Sequence, residues 1–245
     1  QVGNINALSQ AIKNNLYKPK PKVPKKFLNQ FSIVKQYKNL HSIFFEDWDK
    51  SLNQKNKILH IISGLGKGGA EKILYRLILN DQLFQHEVIS LSNEDFYKLK
   101  FEKINVSVKS LNLKRGKLGL VSIFKLIKFI KDSKPSIIHT WMYHSDLLGG
   151  LIGKLLGHKN IIWCVRNSSI DKNFTSFKTR LVISLCAFFS KYIPKKIINC
   201  SKASNQLHQN MGYPKEKCVV VNNGVDTSIY KPLMLANENL KKILN

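Results

Sequence analysis

Residues 57–79 constrain the fold more than any other stretch, reading Lys-Ile-Leu-His-Ile-Ile-Ser-Gly-Leu-Gly-Lys-Gly-Gly-Ala-Glu-Lys-Ile-Leu-Tyr-Arg-Leu-Ile-Leu. Ile58 to Ile62 is a short apolar run rich in β-branched residues, with the character of a strand buried on both faces. Gly64, Gly66, Gly68 and Gly69 follow, and then Ala70, Ile73, Leu74, Leu77 and Ile78 recur at helical spacing. A strand, glycine loop and helix in succession present unpaired backbone N–H groups and a positive dipole end to an anion. Gly68 and Gly69, lacking Cβ atoms, would let that anion approach the main chain. A tight turn that merely joins strand to helix uses the same residues, so the loop by itself leaves both readings open.

The rest of the chain repeats the alternation. Strand-like runs fall near 58–63, 86–91, 106–111, 136–141, 161–166, 196–200 and 218–222, and helical patterns at 69–79, 118–132, 145–156, 176–193 and 202–211. Pro135 precedes a strand, Pro194 ends the long helix, Ser201 is placed as an N-cap and Gly212 as a stop. This predicts an α/β fold, a Rossmann-like parallel sheet with helices on both faces and no internal repeat. Glu94 to Glu102 reads as a polar loop between the second and third strands. At 118–132, Ile123, Phe124, Ile127 and Ile130 form an apolar side while Lys125, Lys128 and Lys131 sit three apart. Such a helix either lies on anionic lipid or covers a sheet with its lysines in water.

The first 50 residues stand outside that pattern. Asn4 is placed to cap a helix with Ile5, Leu8, Ile12 and Leu16 on one side, and the proline-punctuated run Lys18–Lys26 reads as an extended link. A second helix starts at Ser32, with Val34, Tyr37, Leu40 and Phe44 on its apolar side. The expected division is a helical extension at 1–50, a linker at 51–57, the Rossmann-like domain at 58–230 and the start of an interdomain linker at 231–245.

Charge narrows the partners. Forty basic against 15 acidic residues give a net charge of +25, a field that attracts anions. Only four of the basic residues are arginine, and no zinc finger or RNP-type motif occurs. That favours an anionic membrane surface or an anionic acceptor over nucleic acid. Cys164, Cys186, Cys200 and Cys218 are scattered in or beside apolar runs, with no C-x-x-C or His/Cys cluster. They read as free thiols of a reducing compartment, and no metal site is expected. The longest apolar run, Leu181 to Phe189, is too short to span a bilayer, and no signal peptide is recognised. The expected location is cytoplasmic, with the inner face of the membrane as a peripheral partner.

Two nucleotide motifs compete for the glycine loop. Gly64-Leu-Gly66-Lys-Gly-Gly69 satisfies G-x-G-x-x-G, the dinucleotide fingerprint, which also wants an acidic residue closing the second strand. Here that strand ends Ser90-Leu-Ser-Asn93, and Glu94 arrives late. A P-loop is excluded, because no Gly-Lys-Ser/Thr follows. Gly68-Gly69-Ala70-Glu71 resembles the Gly-Gly-x-Glu loop of family-4 (group 1) glycosyltransferases. Ile137-Ile-His139, followed by a helix rich in small residues, is similar to a segment of the same family. Asn223-Gly224-Val225-Asp226, with Tyr230 and Pro232 beyond it, resembles the family's Asn-Gly-Val-Asp…Phe/Tyr-x-Pro signature and is the most specific match. Residues 4–12 and 31–40 resemble the carboxyl-terminal tail of another such enzyme, as though one enzyme's tail were joined to the next one's head. The resemblance covers 57–232 and, more weakly, 1–45.

The resemblance implies the acceptor-side half of a two-domain GT-B enzyme. Such an enzyme moves a sugar from a nucleotide-sugar to a glycan or lipid-linked acceptor, with retention and without a metal. The nucleotide-sugar is then substrate, and no resident cofactor is expected. Gly68 and Gly69 would sit near the donor diphosphate, and Asn223, Gly224 and Asp226 would mark the junction to the second domain. His139, His144, Asp146, Arg166 and Asn167 follow or end buried strands, where ligands of open α/β sheets bind. Arg166 stands where the family often carries a histidine near the donor, so that histidine's role does not transfer. A guanidinium can instead clamp phosphate or carboxylate at two points. Structural roles compete for each residue: Asp146 as a helix N-terminal charge, His139 as a core histidine, Arg166 in a structural pair. The family's second domain holds the donor and a Glu-x7-Glu motif, and Glu94 and Glu102 share that spacing by coincidence. The parent is therefore expected to be an enzyme and these residues alone to be inactive. A nicotinamide-binding dehydrogenase domain and a non-catalytic basic binding module are the alternatives.

Overall fold

A computed structural model describes residues 31–45, 56–113, 119–170 and 175–226. The helix expected from Asn4, the lysine–proline link, Tyr230, Pro232 and the linker from 231 lie outside the described residues. Helices α1 (Ile33–Phe45), α2 (Gly69–Asn80), α3 (Lys98–Glu102), α4 (Leu120–Ser133), α5 (Tyr143–Leu155), α6 (Phe177–Phe189) and α7 (Lys202–Asn210) accompany seven strands. The strands are β1 (Lys57–Ile62), β2 (Gln85–Ser90), β3 (Ser107–Ser110), β4 (Ile137–Trp141), β5 (Ile161–Val165), β6 (Lys196–Asn199) and β7 (Cys218–Val220). They form one parallel sheet in the order β3-β2-β1-β4-β5-β6-β7, with Ile58 opposite His86 on one side and Ile137 on the other. The Rossmann-like fold read from the alternation is the fold observed.

Topology decides which face each helix covers. Right-handed crossovers carry the chain outward from β1 to β3, then in the opposite direction from β4 to β7. Accordingly α2 and α3 pack on one face with Ile58, Ile62 and Trp141, while α4, α5 and α6 pack on the other with Leu59, Ile61 and Trp163. The order reverses between β1 and β4, and in open α/β sheets ligands bind beyond the carboxyl ends of the strands at such a switch point.

The same rule leaves the first face bare over β4 to β7, and α1 lies across it. Leu40 and Phe44 join the cluster that holds Ile137, Ile162, Ile198 and Val221. At its start, Gln36 Oε1 accepts the Gly224 N–H at 2.9 Å, and the Phe31 carbonyl accepts the Val225 N–H at 2.7 Å. Farther along, the Tyr37 hydroxyl donates to Asp81 at 3.1 Å and the Phe44 ring sits 5.4 Å from His139. The helix placed among the extension residues is thus part of this core.

Three local expectations change. Glu94 to Glu102 is not all loop, because Phe101, fully buried, anchors the short helix α3 beneath β3. Val34 and Phe124, assigned to apolar inner sides, point outward; Leu40 and Phe44 are buried as expected, and Leu126 takes the buried position on α4. The helix read at 176–193 ends at Phe189, and its Ser176 hydroxyl accepts the Thr179 N–H as an N-cap.

Candidate functional site

The site is built on the carboxyl edge of the sheet. After β1 the chain passes through 63–68 and enters α2 without a side-chain cap, since Gly68 offers none. Gly68 therefore caps none of the first N–H groups of α2, and the Glu71 N–H meets its own carboxylate. Gly66 and Gly68 allow close approach, but here to carboxylates. A Cβ at Gly66 would stand 2.5 Å from Glu94 Oε2, and one at Gly68 would collide with the Glu71 carboxylate. Gly69 meets nothing within 4 Å and is exposed. Burial raises the Glu71 carboxyl above its usual range, its own backbone N–H opposes that, and the nearby Glu94 charge adds to it. The loop thus holds anionic groups of its own, and Glu94 packs against it instead of closing the second strand as a ribose acceptor would.

On the other side of the switch point Arg166 follows β5. Its guanidinium carbon lies 4.6 Å from the centre of the Trp141 ring, a cation–π platform. Its Nη1 donates to Asn223 Oδ1 at 2.7 Å, which ties the β5 end to the Asn-Gly turn beyond β7. Nε and Nη2 are shielded and have no partner among the described residues. A guanidinium held by stacking and one hydrogen bond offers a planar fork suited to a phosphate or carboxylate, with Nε and Nη2 buried on the side toward the Cys164 thiol, whose pKa the charge lowers against burial. Asn167 is exposed beside it, and its carbonyl accepts the Ser204 hydroxyl at 2.8 Å. Gly224 is buried against α1, and Asp226 is half-buried at the end of the described segment.

The β4–α5 residues divide. His144 is exposed in the first turn of α5. Asp146, expected at the cleft, is fully buried beneath it, where the Thr140 hydroxyl donates to Oδ1 at 2.5 Å. Burial pushes its pKa up to about 7, against the hydrogen bond and the Arg166 charge. His139, also expected there, points instead into the first face, between Phe44, His60 and Trp141, with neither ring nitrogen partnered. Alternation explains this: Trp141, two residues on, shares its face and already stands at the strand end. Burial, then the Arg166 charge, drives the His139 pKa far down.

His139 adjoins an imidazole chain that sequence reading missed, because its members come from four separate elements. The Trp141 indole N–H donates to His60 Nδ1 at 3.4 Å, so His60 carries its proton on Nε2 and donates to His86 Nδ1 at 3.0 Å. The opposite nitrogen of His86 lies 3.3 Å from Asp81, and His41 of α1 lies 3.4 Å from the same carboxylate. Also missed was the Ser63–Ser145 hydroxyl pair, 3.2 Å apart, which bridges the β1 loop to α5 across the switch point. Neither has a motif; only strand order reveals them. A groove of about 510 Å³ opens at the opposite, amino edge, but its charges are spent, Lys57 on Glu87 at 2.7 Å and Asp81 on His86.

Residues 67–229 match the sequence model of Glycosyltransferase Family 4, from the glycine loop to beyond the Asn-Gly turn. The chain belongs to glycosyltransferase family 4. No curated protein matches it in sequence. Among solved structures, Anabaena Alr3699/HepE in complex with UDP is 17% identical, with a TM-score of 0.61 over 77% of this chain and 50% of that one. The same protein with UDP-glucose gives 18% identity and a TM-score of 0.57 over 77% and 49%. The lipopolysaccharide outer core galactosyltransferase WaaB, apo form, gives 16% and 0.53 over 74% and 50%. At these identities the likeness concerns the fold, the first half of a GT-B architecture. The family-4 chain spans about half the length of the solved structures it matches.

Proposed function

We propose that this chain is the acceptor-side half of a glycosyltransferase that moves a sugar from a nucleotide-sugar to a glycan or lipid-linked acceptor with retention. The observation that carries the reading is one shared edge. The start of α2, which Gly68 leaves without a side-chain cap, and the Arg166 guanidinium both lie at the carboxyl edge of the sheet, on either side of the β1–β4 switch point. That pair suits a diphosphate leaving group, whose growing charge is stabilised by fixed donors. The matched structures with UDP and UDP-glucose support a uridine nucleotide as the class to test first. The donor enters as substrate, and the reading calls on no resident cofactor. His144 and Asn167, exposed at the same edge, are placed to meet the sugars. Gly68 and Gly69 line the diphosphate side, and Asn223, Gly224 and Asp226 lead toward the donor domain.

Calorimetric titration of UDP, UDP-glucose and NAD tests this reading. The uridine nucleotides should bind and NAD should not. NAD binding that a Gly69→Val substitution abolishes would replace the reading with a dehydrogenase domain. These 245 residues alone should release no sugar onto an oligosaccharide or lipid-linked acceptor.

A further inference from the structure

We propose that the outer side of the α4–α5–α6 layer is a docking surface for an anionic lipid bilayer. The observation is that α6 is apolar on both sides. Ile183 and Cys186 face the sheet and are buried, whereas Phe177 (74% exposed), Leu181 (53%) and Phe188 (60%) face solvent with Leu185. At 100° per residue these four fall within an arc of about 80°, a continuous stripe, and exposed Tyr192 follows just past the helix end. An ordinary sheet-covering helix is polar on that side. On α4, at the other flank of α5, Leu120, Val121 and Phe124 are exposed as well. Contiguous outward aromatic and aliphatic side chains of this kind mark an interaction surface.

Charge chooses the occupant. Lys178, Arg180 and Lys191 are exposed around the α6 stripe, and Lys125, Lys128 and Lys131 line α4. From Lys172 to Lys215 the sequence contains no aspartate or glutamate. Apolar groups ringed by cations match the acyl boundary and anionic headgroups of a bilayer, where Phe and Tyr sit comfortably at the interface. A second copy seated on the same face would bring Lys178, Arg180 and Lys191 against their equivalents. Nucleic acid would use the cations and leave the stripe in water. No helix among the described residues is long and apolar enough to cross a membrane, so the contact is peripheral. Helices that follow parallel strands begin at the strands' carboxyl edge, so the amino ends of α4 and α6 flank the candidate site. If the glycosyltransferase reading holds, a lipid-linked acceptor would reach the site from this surface.

Co-sedimentation with vesicles tests the surface without donor or acceptor, so the outcome does not depend on the donor reading. The vesicles are phosphatidylcholine, with or without phosphatidylglycerol, in about 0.1 M salt. The chain should sediment with the anionic vesicles only. Leu181→Glu/Phe188→Glu and Lys178→Glu/Arg180→Glu, all at exposed positions, should each weaken the partition by about tenfold or more, with melting temperatures near that of the parent. Lys35→Glu/Lys38→Glu, on α1 across the sheet, removes as much charge as the Lys178/Arg180 pair and should change binding by no more than about twofold. Equal loss in both lysine/arginine pairs, equal binding to neutral vesicles, or no binding would overturn the proposal. So would self-association that Leu181→Glu/Phe188→Glu abolishes in a chain that ignores vesicles.

Discussion

Arg166 is the residue on which the site turns. Trp141 packs against its face, Asn223 takes one of its five N–H groups, and Nε and Nη2 are buried. Arg166→Lys keeps the charge but loses the planar fork. UDP binding should weaken by roughly ten- to a hundred-fold, the value of one charge-assisted hydrogen bond of about 1.5–3 kcal/mol, while the melting temperature barely moves. Unchanged UDP affinity beside a fallen melting temperature would make the arginine a strut between β5 and the Asn-Gly turn. Two kinds of buried group set opposite pH slopes. His60 and His139 have pKa values driven down by burial, so they cost nothing above about pH 6.5 and penalise the fold increasingly as pH falls below it. Asp146, raised to about 7, works the other way: its contribution is intact at acid pH and is lost as pH rises from about 4 through 7. Melting curves from pH 5 to 8 separate them. His139→Phe should flatten the acid limb, and Asp146→Asn, which keeps an acceptor for Thr140, should flatten the alkaline one. Identical profiles for parent and variants would show that neither group is buried as described.

Among the elements, α1 depends most on one glycine. A Cβ at Gly224 would lie 2.7 Å from the Ile33 backbone, which cannot step aside as the flexible Glu94 carboxylate can at Gly66. Gly224→Ala should therefore lift the start of α1 and destabilise the protein, as should Leu40→Ala, by about 2–5 kcal/mol for the latter. Val34→Ala, outward on the same helix, should stay within about 0.5 kcal/mol. Denaturant unfolding of the three variants checks this, and a neutral Leu40→Ala would mean α1 does not belong to the core. The strands were legible because runs such as Ile58–Ile62, interrupted only by His60, and Ile161–Val165 are apolar, as double-sided burial requires. Periodicity does not decide sidedness at helix edges, so Val34 and Phe124 read as inward from the sequence although both face solvent. Nor could it reveal α3, five residues held by the single buried ring of Phe101.

For the molecule as a whole, motif and topology contribute different things. The glycine loop and the Asn-Gly turn, 155 residues apart from Gly69 to Gly224, were readable one at a time. The strand order sets both on the carboxyl edge, and the Asn-Gly turn, just beyond edge strand β7, meets Arg166 there. The same order buries His139 and Asp146, whose positions at a strand end and a helix start had suggested the cleft. The central claim is that this edge binds a diphosphate through the amides of the loop and the side chain of Arg166. Nitrogen-15 NMR during titration with UDP, and separately with uridine, tests it most directly. The account predicts that UDP shifts the amide signals of residues 66–71 and the Arg166 Nε signal, and that uridine, lacking phosphate, leaves them in place. Equal shifts with both compounds, or UDP-induced shifts confined to residues away from this edge, would contradict it.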